Sequence, residues 1–287
     1  MRIGLGAILL FQAYILWAYR ELLLNATGPV PWELSDSWLD PLLPKLSHLV
    51  PPFDALGLGP EAVVAFVLGI HAIAAAFLMV GYRTRASAVF AWATFVMLKD
   101  SSPAFMYGVG SMLLIALFYS LFMPVGREWS LDRVLRLTPV AEGGDASFSV
   151  MVLRLHMCII YGVSAIAKAA GEQWWSGEAL WRSLSHPQYG TIDPSFLVPY
   201  PLVLQAMAIF TILAQLSYPV LVWTRARVWI VAVTELLHLG IAIFLGLWLF
   251  SAMMIVLNAA AFGEAVWKAF VARFGTRPTA PSAGGAP

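Results

Sequence analysis

A chain of 287 residues that is 60% hydrophobic and only 11% charged, with a mean hydropathy of +0.79, is far more apolar than a soluble domain. Its formal net charge of +1 gives nucleic-acid binding no electrostatic basis, and a single cysteine, Cys158, excludes an internal disulfide or a thiolate zinc cluster. At ~20 apolar residues per span, the composition predicts an all-α integral membrane protein, a bundle of about eight transmembrane helices.

In chain order, the apolar runs place a first span at 3–24, too long for a signal-peptide core and retained as a helix. The second covers 61–81, between Pro60 and Gly81, and a short third covers 86–99. The fourth runs over 104–123 and is closed by Pro124, the fifth over 149–170 and the sixth over 201–223. The seventh and eighth share the run from Val228 to Phe270, with a break near Gly246 to Ser251. Arg2, Arg83, Arg85, Arg127, Arg133, Arg136, Arg225, Arg227, Lys268, Arg273 and Arg277 fall on one side of this arrangement, so the positive-inside rule predicts both termini in the cytoplasm. The opposite loops, 25–60 and 171–200, are rich in Trp, Pro and Leu and predict short amphipathic segments on the outer face. Residues 1–272 form the transmembrane domain in this reading, and 273–287 a disordered cytoplasmic tail.

Ionisable residues inside spans are functional candidates, because an unpaired charge in hydrocarbon costs at least ~2.5 kcal/mol. The fifth span carries Arg154, Tyr161, Ser164 and Lys168 at spacings that put all four on one face. Lys168 is then either a desolvated base in a polar pocket or a side chain reaching up to the outer interface. The seventh span carries Glu235 and His238, three apart, which suit a proton relay or a structural pair between helices; Glu235 could also pair with Lys168 or Arg154. The third span is short, about 20 Å against a core of ~30 Å. The stretch from Lys99 to Pro103 is therefore predicted either within the outer leaflet, on the same side as Lys168, or in a tight loop. His71, Gln205, Gln215 and Asn258 fit interhelical hydrogen bonds, and His156 faces away from the Arg154 stripe. No metal-ligand spacing, phosphate loop or nucleophile elbow occurs.

The segment "LRLHMCIIYGVSAIAKAAGEQWWSGEAL", together with "VGYRTRASAVFAWA", "FMPVGREWSLD" and "HLGIAIFLGLWLFS", resembles the HTTM superfamily. That superfamily includes the membrane domain of vitamin K-dependent gamma-glutamyl carboxylase and small bacterial membrane proteins that help to mature secreted peptides. The resemblance covers nearly all of residues 1 to 270. It implies that Lys168, seven after Tyr161, is the base acting on a reduced quinone (vitamin K or menaquinol), with O2 and CO2 as co-substrates and no metal. It places His238 with Lys168 as a catalytic residue; the polar residues of the spans put Arg154, Tyr161, Ser164, Glu235 and Lys99, with Trp174 and Trp175 of the outer loop, around a pocket on the outer side. It also implies a bacterial cytoplasmic membrane and a secreted peptide or protein as substrate. Where the carboxylase has Asn-Asn-His before its fourth span, this chain has Ser101, Ser102 and Pro103. A second reading is a non-catalytic factor for maturation of, or immunity to, a secreted peptide, with the outer tryptophans as its binding surface. A small-solute transporter is a third, for which neither an inverted repeat nor paired broken helices are visible.

Overall fold

The computed structural model describes residues 1–38, 42–102, 108–137, 145–188 and 191–274. Among them the chain is helical, and eight helices have 15 residues or more. These are α1 (Arg2–Ala18), α2 (Pro60–Val80), α3 (Thr84–Lys99), α4 (Gly108–Phe122), α5 (Asp145–Ala169), α6 (Pro201–Leu221), α7 (Arg227–Leu245) and α8 (Trp248–Phe274). Five of them, α2, α5, α6, α7 and α8, are long and apolar enough to cross a membrane; α1 and α4 are apolar but shorter. The protein is an integral membrane protein.

The boundaries follow local chemistry. Pro60 opens α2, where its missing N–H costs nothing, and Gly81 closes it in the left-handed region at φ 74°. No other residue suits position 81: a Cβ there would lie 2.5 Å from Ser130 Cβ and 2.7 Å from the Arg2 guanidinium. The predicted span 3–24 is two pieces. Helix α1 ends at Ala18, and Tyr19, at φ −111° and ψ 20°, separates it from the four-residue turn Arg20–Leu23. Arg20 folds back on the end of α1, donating to the Trp17 carbonyl at 3.0 Å and covering the Trp17 ring at 4.9 Å. Helix α4 begins at Gly108, not at 104; residues 103–107, including Pro103, lie outside the described residues. So do residues 275–287 of the expected tail.

Neighbours in sequence pack as pairs, α1 on α2, α2 on α3, α5 on α6 and α7 on α8, while α8 also touches α1, α4 and α5 and so runs through the middle. At one end of the bundle a polar clasp holds distant segments. Arg2, only 3% exposed, donates to the Leu78 carbonyl at 3.0 Å, to the Val125 carbonyl at 3.1 Å and to the Trp129 carbonyl at 2.5 Å. Asp132, 2% exposed, accepts from Arg83 N at 2.6 Å, Thr84 N at 2.8 Å and Thr84 Oγ1 at 2.6 Å, capping α3 from 48 residues away. Burial alone would raise the Asp132 pKa, but the Thr84 hydroxyl, the two backbone N–H groups and the Arg2 charge hold it below the usual aspartate value. The "VGYRTRAS" and "FMPVGREWSLD" stretches are thus two halves of one structural knot, and Arg2 is a buried member of it as well as part of the positive side.

The opposite end carries the two long connections. They contain the short helices Trp32–Trp38, Leu46–Leu49 and Val50–Asp54, and Glu172–Trp175, Glu178–Leu184 and Pro194–Leu197. The polar stretch after α3 is pressed against protein: Asp100, Ser101 and Ser102 are 4%, 3% and 3% exposed. Ser101 Oγ accepts from Leu46 N at 2.7 Å and donates to the Met97 carbonyl at 2.6 Å, so non-helical backbone at the end of this short helix finds protein partners.

Candidate functional site

The site grows from the last turns of α5. Tyr161 and Lys168 lie seven residues apart, ~10 Å along the helix and nearly in line. Tyr161 is buried and Lys168 half-buried. The ammonium donates to Ser164 Oγ at 2.5 Å and to the Ser164 carbonyl at 3.4 Å, one turn earlier. It also stands 5.3 Å from the centre of the Trp174 ring. Among the described residues no carboxylate forms an ion pair with it. Ser164, Lys168 and Trp174 therefore form one group.

The turn after α5 explains the Trp-Trp-x-Gly sequence. Trp175 Nε1 donates to the Ala169 carbonyl at 2.8 Å and so closes the end of α5, while Gln205 Nε2 donates to the Trp175 carbonyl at 2.8 Å from the start of α6. Gly177 turns at φ 83°, and a Cβ there would sit 2.6 Å from Gln205 N. Only glycine lets the connection pass this close to α6. Trp175 shapes the turn, whereas Trp174 faces the lysine.

Deeper in the bundle, Tyr161 meets α7 and α8. Its hydroxyl lies 2.8 Å from His238 Nε2, and Asn258 Nδ2 donates to it at 2.8 Å. Tyr218 donates to Asn258 Oδ1 at 2.5 Å, and the Tyr161 and Tyr218 rings stack at 4.1 Å. All four side chains are buried: Tyr161 2%, Tyr218 0%, His238 3% and Asn258 0% exposed. His238 also packs edge-on against Phe250 at 5.8 Å, and the Lys168 charge acts on its ring. Glu235 lies one turn before His238, beside Asn258 and the two tyrosines. Two polar atoms here are buried and without a hydrogen-bond partner: His238 Nδ1 and Glu235 Oε2.

Other sequence candidates lie elsewhere. Arg154 donates to the Ala261 carbonyl at 2.7 Å and faces the Phe262 ring at 5.6 Å. It ties α5 to α8 about 21 Å along the helix from Lys168. Neither it nor Lys168 is ion-paired with Glu235. Lys99 pairs with Asp100 at 3.1 Å, in the layer that holds Leu46 and Ser101. His71 bonds Thr94 Oγ1 at 2.9 Å between α2 and α3, and His156 bonds the Tyr119 hydroxyl at 2.9 Å between α5 and α4. A hollow of about 290 Å³ opens between Arg20–Ala26 and Pro60–Ala65, and none of the candidate residues lines it. Among the described residues no three His, Cys, Asp or Glu side chains converge as metal ligands. Sequence reasoning set Asn258 aside as an interhelical hydrogen bonder and did not consider Tyr218. Asn258 does join helices, but it does so through Tyr161, and a lone Asn in an apolar run carries no sign of which helix it faces.

The HTTM domain matches residues 33–267, which is most of the chain and includes every member of this polar group. The protein belongs to the HTTM domain family. Among curated proteins and among solved structures, nothing matches it. The HTTM match takes in α2 to α7 whole and most of α8, so Asp132 with its Thr84 cap and the group around Tyr161 both lie in the shared domain, while Arg2 lies outside it.

Proposed function

We propose that this HTTM protein is a membrane-embedded quinol-dependent enzyme resembling the membrane part of vitamin K-dependent carboxylase, with Lys168 as its base. The observation that carries the reading is Lys168 itself: a half-buried lysine held by a serine and a tryptophan, with no carboxylate paired to it among the described residues. A lysine in such a place exchanges its proton far more readily than one locked in an ion pair.

The side chains present suit a reduced quinone. Two buried polar atoms, His238 Nδ1 and Glu235 Oε2, lack partners and lie deeper than Lys168, by Tyr161 and Asn258. Aromatic rings from Tyr161, Tyr218, Trp174 and Phe250 supply flat apolar walls. A bound quinol would supply a hydroxyl acidic enough to give up a proton and a ring able to react with O2. Lys168 Nζ, in its neutral amine form, would accept that proton and become the ammonium, with Ser164 Oγ holding it in place. His238 and Glu235 would orient the quinol through their free atoms, and Trp174 would shield the amine from water. Arg154 and Lys99 support the scaffold in this scheme.

The finer elements of the reading are eight membrane crossings, both termini in the cytoplasm of a bacterium, and a site opening on the outer side, where quinol enters from the bilayer. CO2 and a secreted peptide or protein are the further substrates. The test uses purified full-length protein in nanodiscs with a reduced naphthoquinone and O2, following quinone epoxide by chromatography. Wild type is expected to form it, and Lys168→Ala to form none while remaining folded. Equal turnover in both would end the reading, and so would no turnover in wild type with menaquinol, phylloquinol and ubiquinol alike.

A further inference from the structure

The hydrogen bonds around Tyr161 have a direction, and counting donors finds it. Four buried side chains form a line: Tyr218, Asn258, Tyr161, His238. Only the Asn258 amide has two different ends. With its oxygen toward Tyr218 and its nitrogen toward Tyr161, each hydroxyl has an acceptor. Tyr218 gives its proton to Asn258 Oδ1 at 2.5 Å, Asn258 Nδ2 gives one to the Tyr161 oxygen at 2.8 Å, and Tyr161 gives its own to His238 Nε2 at 2.8 Å. A neutral imidazole that accepts at Nε2 must carry its hydrogen at Nδ1. His238 Nδ1 is the atom left buried and without a partner.

The reverse direction is worse. Turning the amide round would leave the Tyr218 hydroxyl, on a side chain 0% exposed, with a proton and no acceptor. His238 would then donate from Nε2, and Nδ1 would be an unpartnered lone pair. That arrangement strands a buried donor and a strong acceptor, against one buried donor in the first. Glu235, beside the Asn258 side chain, favours the amide –NH2 on the Tyr161 side as well.

We propose that Asn258 and Tyr218 are positioning residues that hold His238 as the Nδ1–H tautomer, so that its ring offers a ligand a hydrogen-bond donor and not a base. The partner of that donor is an acceptor oxygen, as in a quinone carbonyl, a phenolate or a carboxylate. The tautomer stands without any ligand; only the choice of a quinone oxygen as the acceptor rests on the function proposed above. It separates two roles that resemblance alone had merged: the proton is taken by Lys168, and His238 fixes the oxygen.

The decisive measurement is 15N magnetic resonance of ring-labelled histidine in full-length protein in nanodiscs, with His238 assigned by its absence in His238→Gln. Without ligand, wild type is expected to show a protonated Nδ1 and a bare Nε2 for His238. In Tyr218→Phe nothing holds the Asn258 oxygen away from Tyr161, and either way round the amide leaves one donor and one acceptor unpaired. Part of the Nδ1–H signal is then expected to pass to the Nε2–H tautomer, as Tyr161 donates to the turned amide and accepts from the ring. A protonated Nε2 in wild type overturns the proposal, even if the variant fails to fold. An unchanged tautomer in folded Tyr218→Phe overturns the positioning role. Both results are read with no quinone present, so neither bears on whether the protein turns one over.

Discussion

Replacing Lys168 by methionine separates a poised base from a structural cation. The native contacts of the ammonium are few: Ser164 Oγ at 2.5 Å, the Ser164 carbonyl at 3.4 Å and the Trp174 ring at 5.3 Å. Losing the serine bond removes about 0.6 to 1.7 kcal/mol, the range for side-chain hydrogen bonds within membranes. Losing the cation–π contact removes about 0.5 to 1 kcal/mol. Losing a cation from the end of α5 removes about 0.3 to 1 kcal/mol of helix-dipole interaction. Against this, methionine abolishes a charge that costs about 2.5 kcal/mol at the membrane centre and less near the end of a span, where Lys168 lies. Its sulfur on Trp174 returns about 0.3 to 1.5 kcal/mol. The sums nearly cancel, so the net change is about 1 kcal/mol or less, or about 2 to 4 °C in melting temperature. If Lys168 instead neutralised a buried carboxylate, breaking the pair would cost about 3 to 5 kcal/mol, or about 6 to 20 °C. The assay is thermal unfolding in detergent, followed by tryptophan fluorescence, with quinol turnover measured on the same sample. The expected result is a near-native melting point with no turnover. A fall of about 8 °C or more would refute the argument that this lysine is unpaired.

Asp132→Ala is expected to cost about 3 kcal/mol or more, since it strands two backbone N–H groups and the Thr84 hydroxyl; chemical unfolding checks this, and a loss below about 1 kcal/mol would contradict it. Because the folded Asp132 pKa lies below its ordinary value, its contribution is complete above about pH 4 and fades as the pH falls through the folded value. Acid titration of wild type should therefore show a stability loss below about pH 4 that is absent from Asp132→Ala. Gly177→Ala is expected to lower the melting point, as the new methyl would lie 2.6 Å from Gln205 N on a turn at φ 83°; cross-linking between residues 175 and 205 reads the displacement directly. Tyr161→Phe removes the hydroxyl shared by His238 and Asn258 and is expected to cost about 1 to 3 kcal/mol, two membrane hydrogen bonds, with unfolding in mixed micelles as the measure.

Much of this was legible in the linear sequence, for definite reasons. Helix positions follow from apolar runs bounded by Pro60, Gly81 and Pro124, and the alignment of Tyr161, Ser164 and Lys168 follows from helical periodicity alone. The Trp174 contact is local too, six residues on from the lysine. What spacing could not give was any partner on another helix. Asn258 lies 97 residues from Tyr161 and Tyr218 lies 40 from Asn258, and no period links such distances. Arg154 shows the opposite failure. It shares the Lys168 face, yet a helix of this length carries one face past different neighbours, and at its level the neighbour is the Ala261 carbonyl. The break at Tyr19 is masked because Leu22 to Leu24 resume the apolar run after Arg20 and Glu21, and Arg20 folding onto Trp17 marks the stop.

The clasp at Arg2 also sets an order of events during synthesis. Its partners lie 76 to 127 residues further along the chain. When α1 enters the membrane, none of them has been made, and the guanidinium must wait in the hydrated headgroup layer. The Leu78 and Met79 carbonyls arrive with α2 and hold one edge of it. Closure comes only after Trp129 and Asp132 have been made and have left the ribosome, and it then binds the ends of α1, α2 and α3 together.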